Sequence, residues 1–485
     1  MEFTARDSRL LQLQQPLTSD AVMPFHEQIY QRVRGAIQKG VLGAGDRLPS
    51  SRALASHLGI ARGTVDVAYA RLQGEGLVVA QGRVGTVVTD QGLSSGAEAT
   101  EERSLSAEAT GINGEKAEPL PFQIGLPALD QFPYKTWARL ASCRARRMSP
   151  RQMDYPNELG FEPLRRAIAS YLLVSRGIQC SAENIIITNG YQGALELIAR
   201  ALLQPGNPVW FENPGYFRAQ FLLRSMGAGL VPLEIDECGA DLSEAMMHCP
   251  NASLAILTPA HQQPLCTTMT VARRSLFLDW AGSNHSWIVE DDFDGEFHYC
   301  GVRQPAMKAM DRSDRVIYVG SFSKVLFPAL RLGYMVAPEI LLARLAAAAR
   351  SANAGRSPFE QAIVADFMNE GYFARHVKRM RDLYSKRRIA LLRAISMRFD
   401  DRLSVDQNQG GMHLIARLPQ VGHDSEISRL LYRSGLAVEA LSDRYWSGPQ
   451  KQGLILGFTN IHERRAKALV GRLYDAIADH FPQFA

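Results

Sequence analysis

The chain has no pair of cysteines at the spacing of a zinc site or a redox dithiol. Its six cysteines, at 143, 180, 238, 249, 266 and 300, are scattered over 485 residues and read as reduced side chains. No metal is expected. No apolar run approaches the roughly 18 residues of a membrane span. The opening Met1-Glu2-Phe3-Thr4-Ala5-Arg6-Asp7 is charged where an export signal carries an apolar core. These absences predict a cytoplasmic protein with no membrane partner. Charge bias is also missing: the formal net charge is +5, which permits contact with nucleic acid without arguing for it. No internal repeat of fixed period is present, which sets solenoids and propellers aside.

What is present is a globular composition, 46% hydrophobic and 21% charged, in a chain too long for one ordinary core. Residues 91–118 break it. They are rich in Gly, Ser, Ala and Glu, with 2 basic against 6 acidic side chains, and show no apolar period. Such a stretch buries too little surface to offset its ordering entropy and reads as a flexible linker. The expected domains are therefore residues 1–90 and 119–485.

The first part reads as three helices and a hairpin. Phe25, Ile29, Val33 and Ile37 recur at helical spacing up to Gly40. A Ser-rich cap after Pro49 starts a short helix that Gly59 stops, and a further helix from about Ala61 puts Val65, Ala68, Tyr69 and Leu72 on one face. Two β-rich runs follow about Gly82. This order is that of a winged helix-turn-helix, whose second short helix fits the major groove. Arg52 and Arg62 suit phosphates or guanine edges, Thr64 stands at the helix start, and Gly82 lets the wing turn Gln81-Gly82-Arg83 come close to a minor groove. A small interaction domain with ordinary surface arginines would share much of this pattern.

The second part alternates strands (near 184–188, 208–211, 254–258, 287–290 and 315–320) with helices. That predicts an α/β domain with a mainly parallel, doubly covered sheet and a ligand beyond the strands' carboxyl ends. Four segments there carry chemistry. In Ser321-Phe322-Ser323-Lys324, followed by Arg331, the lysine can form an imine with an aldehyde, and the hydroxyls and guanidinium can hold a phosphate. In Glu290-Asp291-Asp292-Phe293-Asp294 a carboxylate at a strand end can keep a pyridine nitrogen protonated. In Thr188-Asn189-Gly190-Tyr191-Gln192 the amides of a helix start can bind phosphate. In Asn213-Pro214-Gly215-Tyr216-Phe217-Arg218 an aromatic can stack and Arg218 can meet an anion. Taken singly, each has an ordinary structural explanation: a surface loop lysine, salt-bridge acids, a plain helix start, a packed loop tyrosine.

Together with their order, these motifs resemble a known pair of families. Pro24 to Thr89, including Gly45-Asp46-Arg47-Leu48-Pro49-Ser50-Ser51-Arg52 and Ala61-Arg62-Gly63-Thr64-Val65, resembles the GntR family of bacterial regulators. The resemblance implies that Arg52, Arg62, Thr64 and Gly82 contact double-stranded DNA. From about Pro121 onward, through Gly125-Leu126-Pro127, Gly160, Pro163, Ser321 to Tyr334 and Gly457-Phe458, the chain is similar to fold-type-I aminotransferases. A GntR-type head on such a body looks like the MocR subfamily. That resemblance implies a regulator whose body binds pyridoxal phosphate and senses the cofactor, an amine or an amino acid, working as a domain-swapped homodimer. It implies Lys324 as the Schiff-base lysine and Asp291 as partner of the pyridine nitrogen. It places Tyr216 near the ring, Arg218 near an external ligand, Ser321, Ser323 and Arg331 about the phosphate, Tyr191 and Gln192 at the helix start, and His261 as a polar contact. The alternative is a working aminotransferase with an appended regulatory head.

Four positions depart from the pattern. Asp66 stands where some relatives carry a basic recognition residue. Phe293 stands where many have a tyrosine, and it cannot hydrogen-bond a 3-hydroxyl. Pro264-Leu265-Cys266 replaces a Pro-Thr-Gly, which leaves His261 or Gln262 to supply any polar contact. Ile455 stands where amino-acid transaminases place an arginine for the α-carboxylate. Phe293 and Ile455 argue for a sensor with at most weak transaminase activity.

Overall fold

Three helices in the first unit each bury one face in a common core. Helix α1 (Phe25–Gln38) contributes Ile29, Tyr30, Val33 and Ile37, and α3 (Arg62–Gly74) contributes Val65, Ala68, Tyr69 and Leu72. Each such side chain contributes about 1.5–3 kcal/mol on burial. Between them α2 (Ser51–Leu58) is capped at one end by Ser50, whose hydroxyl accepts from the Ala53 amide at 3.2 Å, and ends on left-handed Gly59. Strands β1 (Val78–Gln81) and β2 (Gly85–Val88) pair antiparallel as the wing. The helix-turn-helix with wing expected from the sequence is the observed one.

The computed structural model describes residues 17, 23–82, 85–89, 118–150, 153–352, 357–417 and 423–481. The chain divides into two units, the first ending at residue 115. The expected linker at 91–118 lies outside the described residues apart from Glu118, and so does Arg83 of the wing turn.

The second unit is built on an eight-stranded sheet: β3 (Ile185–Thr188), β4 (Pro208–Asn213), β5 (Gly229–Asp236), β6 (Gly239–Ala240), β7 (Leu254–Leu257), β8 (Trp287–Asp292), β9 (Val316–Ser321) and β10 (Gly333–Val336). Their order is β3-β10-β9-β8-β7-β4-β5-β6. Strands β5, β4, β7, β8 and β9 run parallel, and β10 runs against both β9 and β3. Alternate residues feed opposite faces, as a strand's period of two requires. Ile186, Val289 and Val319 enter one apolar cluster with Leu195 and Ile198, while Ile185, Ile187 and Tyr318 enter another with Leu164 and Ile168. Helices α4 (Glu162–Arg176) and α5 (Gly190–Leu202) supply those covering side chains. Helix α6 (Phe217–Ser225) follows β4.

A smaller antiparallel sheet, absent from the sequence reading, follows the 28-residue helix Tyr372–Phe399. It comprises β11 (Ser404–Val405), β12 (His413–Arg417), β13 (Glu439–Ala440) and β14 (Leu454–Gly457) in the order β11-β12-β14-β13.

Candidate functional site

The chemistry-bearing segments converge where the parallel strands end. Lys324 lies three residues past β9, and its Nζ donates to the Gly125 carbonyl at 2.8 Å. Gly125 is there because a Cβ would collide with that same Nζ. Burial pushes the amine's pKa down, Asp294 and then Asp291 pull it back up, and Arg218 pushes it down again.

The structure separates the acidic cluster into distinct roles. Glu290 accepts from the amides of Met307 and Lys308, both at 2.8 Å, and burial raises it to about 7. Asp292 is clamped by Arg176 and by the Tyr318 hydroxyl at 2.6 Å. Burial alone would raise it, but Arg176 and Arg303 hold its carboxyl below the usual range. Asp294 takes the Nδ1 of His261 at 2.8 Å, both side chains being buried. Asp291, on the same strand, is held well above the ordinary carboxylate range by burial and then by Asp292, Glu212 and Asp294, with only Lys324 opposing. A buried carboxyl in that state is suited to a cationic ring nitrogen.

At the other side of β9, Gly333 opens β10 opposite both Thr188 and Ser321. A Cβ on Gly333 would stand 2.9 Å from the Gly190 Cα, so its absence lets the start of α5 approach the strand ends. No side chain caps the first amides of α5. Gln192, in its first turn, meets Arg331 at 3.5 Å, and Ser321 Oγ accepts from the Ser323 amide at 3.2 Å. Arg331 itself sits at φ 49°, in the left-handed region that few non-glycine residues adopt.

The end of β4 carries the aromatic side. Tyr216 and Tyr191 have ring centres 6.1 Å apart. Burial, followed by Asp291 and Glu212, pushes Tyr191 well above its ordinary value. Tyr216 is raised by burial, against the charges of Arg218, Arg331 and Arg444. Arg218 is exposed. Glu212 is buried and raised to about 7 despite bonds from Thr258 and Gln262.

Gln262 donates from its amide nitrogen to Glu212, Pro214 and Gln263, and its oxygen accepts from the Leu265 amide, which shapes the loop. His261 remains, its ring stacked 6.0 Å from that of His298. Cys266 is buried, and burial pushes its thiol up; its Sγ lies 3.2 Å from His413 Nε2. Phe293 is half-buried. Ile455 lies on β14 in an apolar cluster with Ile415, Leu441 and Tyr445, against Ile124 and Leu265. Arg444 is the residue that sequence reasoning missed. It follows a buried turn at Ser442 in the smaller sheet's region, and no local motif marked it.

In the first unit Arg52 is exposed near the start of α2, and Arg62 and Thr64 open α3. Gly82 is exposed in the wing turn at φ 45°. Asp66 is ion-paired to Arg62 at 3.4 Å, one helical turn along α3.

With this geometry in place, comparison with known proteins is specific. A family described as aminotransferase class I and II matches residues 122–446, and the gntR family of bacterial regulatory proteins matches residues 25–88. A probable rhizopine catabolism regulatory protein, MocR, of Rhizobium meliloti is 36% identical over 470 residues, covering 95% of each chain. The HTH-type pyridoxine biosynthesis transcriptional regulator PdxR of Corynebacterium glutamicum is 31% identical, covering 93% of this chain and 95% of its own. Among solved structures, a Pyrococcus horikoshii kynurenine aminotransferase in complex with PMP superposes with a TM-score of 0.69 at 27% identity, covering 76% of this chain and 92% of that one.

Proposed function

The chain belongs to the MocR-type regulators, with a gntR-family head and an aminotransferase class I and II body, and on that premise we propose that the body holds pyridoxal phosphate through Lys324 and converts binding of the cofactor, or of an amine or amino acid that reacts with it, into a change in the head's affinity for double-stranded operator DNA. The protein is a helix-turn-helix transcriptional regulator with an aminotransferase-like domain. The observation that carries the cofactor reading is the juxtaposition of a half-buried amine and a buried carboxyl at neighbouring strand ends. Lys324 is depressed by burial, Asp291 is raised by it, and each acts electrostatically on the other.

The residues fit the cofactor at each of its ends. Bound, it would supply an aldehyde to the Lys324 amine and an electron-accepting ring. Asp291 would hold a proton at the ring nitrogen. The uncapped start of α5 with Tyr191 and Gln192, the hydroxyls of Ser321 and Ser323, and Arg331 would hold the phosphate. Tyr216 would cover the ring, with His261 at its edge and Arg218 toward an external ligand. Arg52, Arg62, Thr64 and Gly82 would contact DNA.

The working parts are residues 1–90, a linker at 91–118, and residues 119–485. The active form is a homodimer with exchanged heads; a linker of that length spans about 30 Å root-mean-square. The protein works in the cytoplasm, in keeping with the finding that no helix among the described residues is long and apolar enough to cross a membrane.

The test combines spectrum and DNA binding. Adding pyridoxal phosphate to the pure chain should give a near-visible band that Lys324→Ala removes, and operator affinity should change with cofactor or amine. The two effects must be reciprocal, because the coupling free energy is shared. Steady multiple turnover of an amino acid with a keto acid would instead establish a working aminotransferase.

A further inference from the structure

We infer that Arg444, together with Arg218, forms the anion-binding end of the ligand pocket, so that the effector is an amine bearing a carboxylate or sulfonate. The inference rests on the cofactor reading above and narrows it to a ligand class.

The two guanidiniums share one aromatic ring. Arg218 Cζ lies 5.4 Å and Arg444 Cζ 4.7 Å from the ring centre of Phe217, the first residue of α6 and the neighbour of Tyr216. Arg444 is held there by backbone and side-chain stitching between its turn and the end of β4. The Gly215 amide donates to the Arg444 carbonyl at 3.2 Å. Asn213 donates to the Ser447 carbonyl at 2.8 Å and accepts from the Trp446 amide at 3.1 Å, and Trp446 Nε1 donates to the Glu212 carbonyl at 3.0 Å. The turn that carries Arg444 and the strand end that carries Tyr216 and Arg218 are one construction.

Charge is unbalanced within it. The Arg444 side chain is 12% exposed, and its Nε has no hydrogen-bond partner among the described residues. Burial lowers its pKa to about 10, Tyr216 works against that, and Arg218 adds repulsion. Tyr216 feels Arg218, Arg331 and Arg444 together. The acid paired with Arg444 is Glu439, on β13, whose backbone lies opposite Ile455. Arg444 has that carboxylate, Arg218 has no ion-pair partner among the described residues, and Lys324 is a further cation whose field Asp294 and Asp291 oppose. Desolvated like charges are costly until an anion joins them, and arginine's forked donors fit a carboxylate or sulfonate. The anion site that Ile455 cannot make on β14 is made on the turn between β13 and β14.

The test titrates the cofactor-loaded full chain with α- and ω-amino carboxylates, an aminosulfonate and neutral alkylamines of matched length, following the bound-cofactor absorbance. Anionic amines should act at concentrations at least tenfold lower than neutral ones. Arg444→Ala should weaken the anionic amines tenfold or more and leave neutral amines and the cofactor band unchanged, with Arg444→Lys falling between. Wild-type affinity for anionic amines in Arg444→Ala, or equal binding of neutral and anionic amines by the natural chain, overturns the inference. If Arg444→Ala fails to fold, unchanged affinity in Arg444→Lys overturns it. Absence of any cofactor band in the natural chain defeats the underlying reading, and the inference with it.

Discussion

The Nδ1 of His261 and the Oδ1 of Asp294 lie 2.8 Å apart in a fully enclosed pair, and Asp294 is the carboxylate that acts most strongly on Lys324. One acid thus orients an imidazole and sets the field at the lysine. Replacing it by asparagine removes a charge that favours the protonated amine. Asp294→Asn should lower the pH at which Lys324 becomes nucleophilic, measured as the pH profile of its labelling by an amine-selective reagent in the cofactor-free chain. An unmoved profile would show that the field comes from elsewhere.

Gly125→Ala tests the other partner of the lysine. The added methyl collides with Nζ, and the residue's φ of 68° is unfavourable for a side chain. Cofactor affinity should fall at least tenfold, about 1.4 kcal/mol, measured by absorbance titration, while melting of the head is unchanged.

The buried acids give the body opposite responses to acid and base. Asp292 sits below its ordinary value, so its contribution is whole above about pH 4 and is lost as pH falls through the depressed value. Glu290 sits near 7, so its contribution is whole below about pH 4 and is lost as pH rises through 7, by about 3 kcal/mol. Chemical denaturation across that range should show stability falling on both sides. Asp292→Asn should flatten the acid limb and cost no more than about 3 kcal/mol, because Arg176 loses one of two buried carboxylates and keeps Glu296 at 2.9 Å. Glu290→Gln should flatten the limb toward neutrality.

On the head, Arg52→Ala and Arg62→Ala should each weaken DNA binding and reduce the slope of log affinity against log salt by about 1. Asp66→Ala should do the reverse, freeing Arg62 from its 3.4 Å partner. The gain should be a few-fold, since an exposed pair contributes about 0–1 kcal/mol. Fluorescence anisotropy on operator DNA reads both.

Much of this was legible in the sequence because it is local. The Ser50 cap, the Gly59 stop and the Val65, Ala68, Tyr69, Leu72 stripe are signals within one helical turn, and the helices follow them closely. Lys324, Asp291, Tyr216 and the start of α5 could be named because their motifs, taken together, resemble an aminotransferase pattern near strand ends, where such sheets gather ligands. What stayed hidden depends on partners remote in the chain. Asp292 differs from Asp291 through Arg176, on α4, together with Arg303 and Tyr318. Gln262 and His261 are neighbours, yet Glu212 consumes one and Asp294 orients the other. Arg444 acquires a role only because its turn is bonded to the end of β4. The small antiparallel sheet escaped notice because two of its strands are two residues long, too short for a period to register.

The positions of Gly125, Gly333 and Gly410 are defined by what cannot be added: a single carbon would strike Lys324, the start of α5 and His261 respectively. On the proposed reading this has a genetic consequence. Every single-base change that replaces a glycine adds at least that carbon, so alleles blind to the effector should arise at these three codons as readily as at those of the reactive side chains. None of the three lies in the unit that reads DNA, and such alleles would still occupy their operator while no longer answering to the signal.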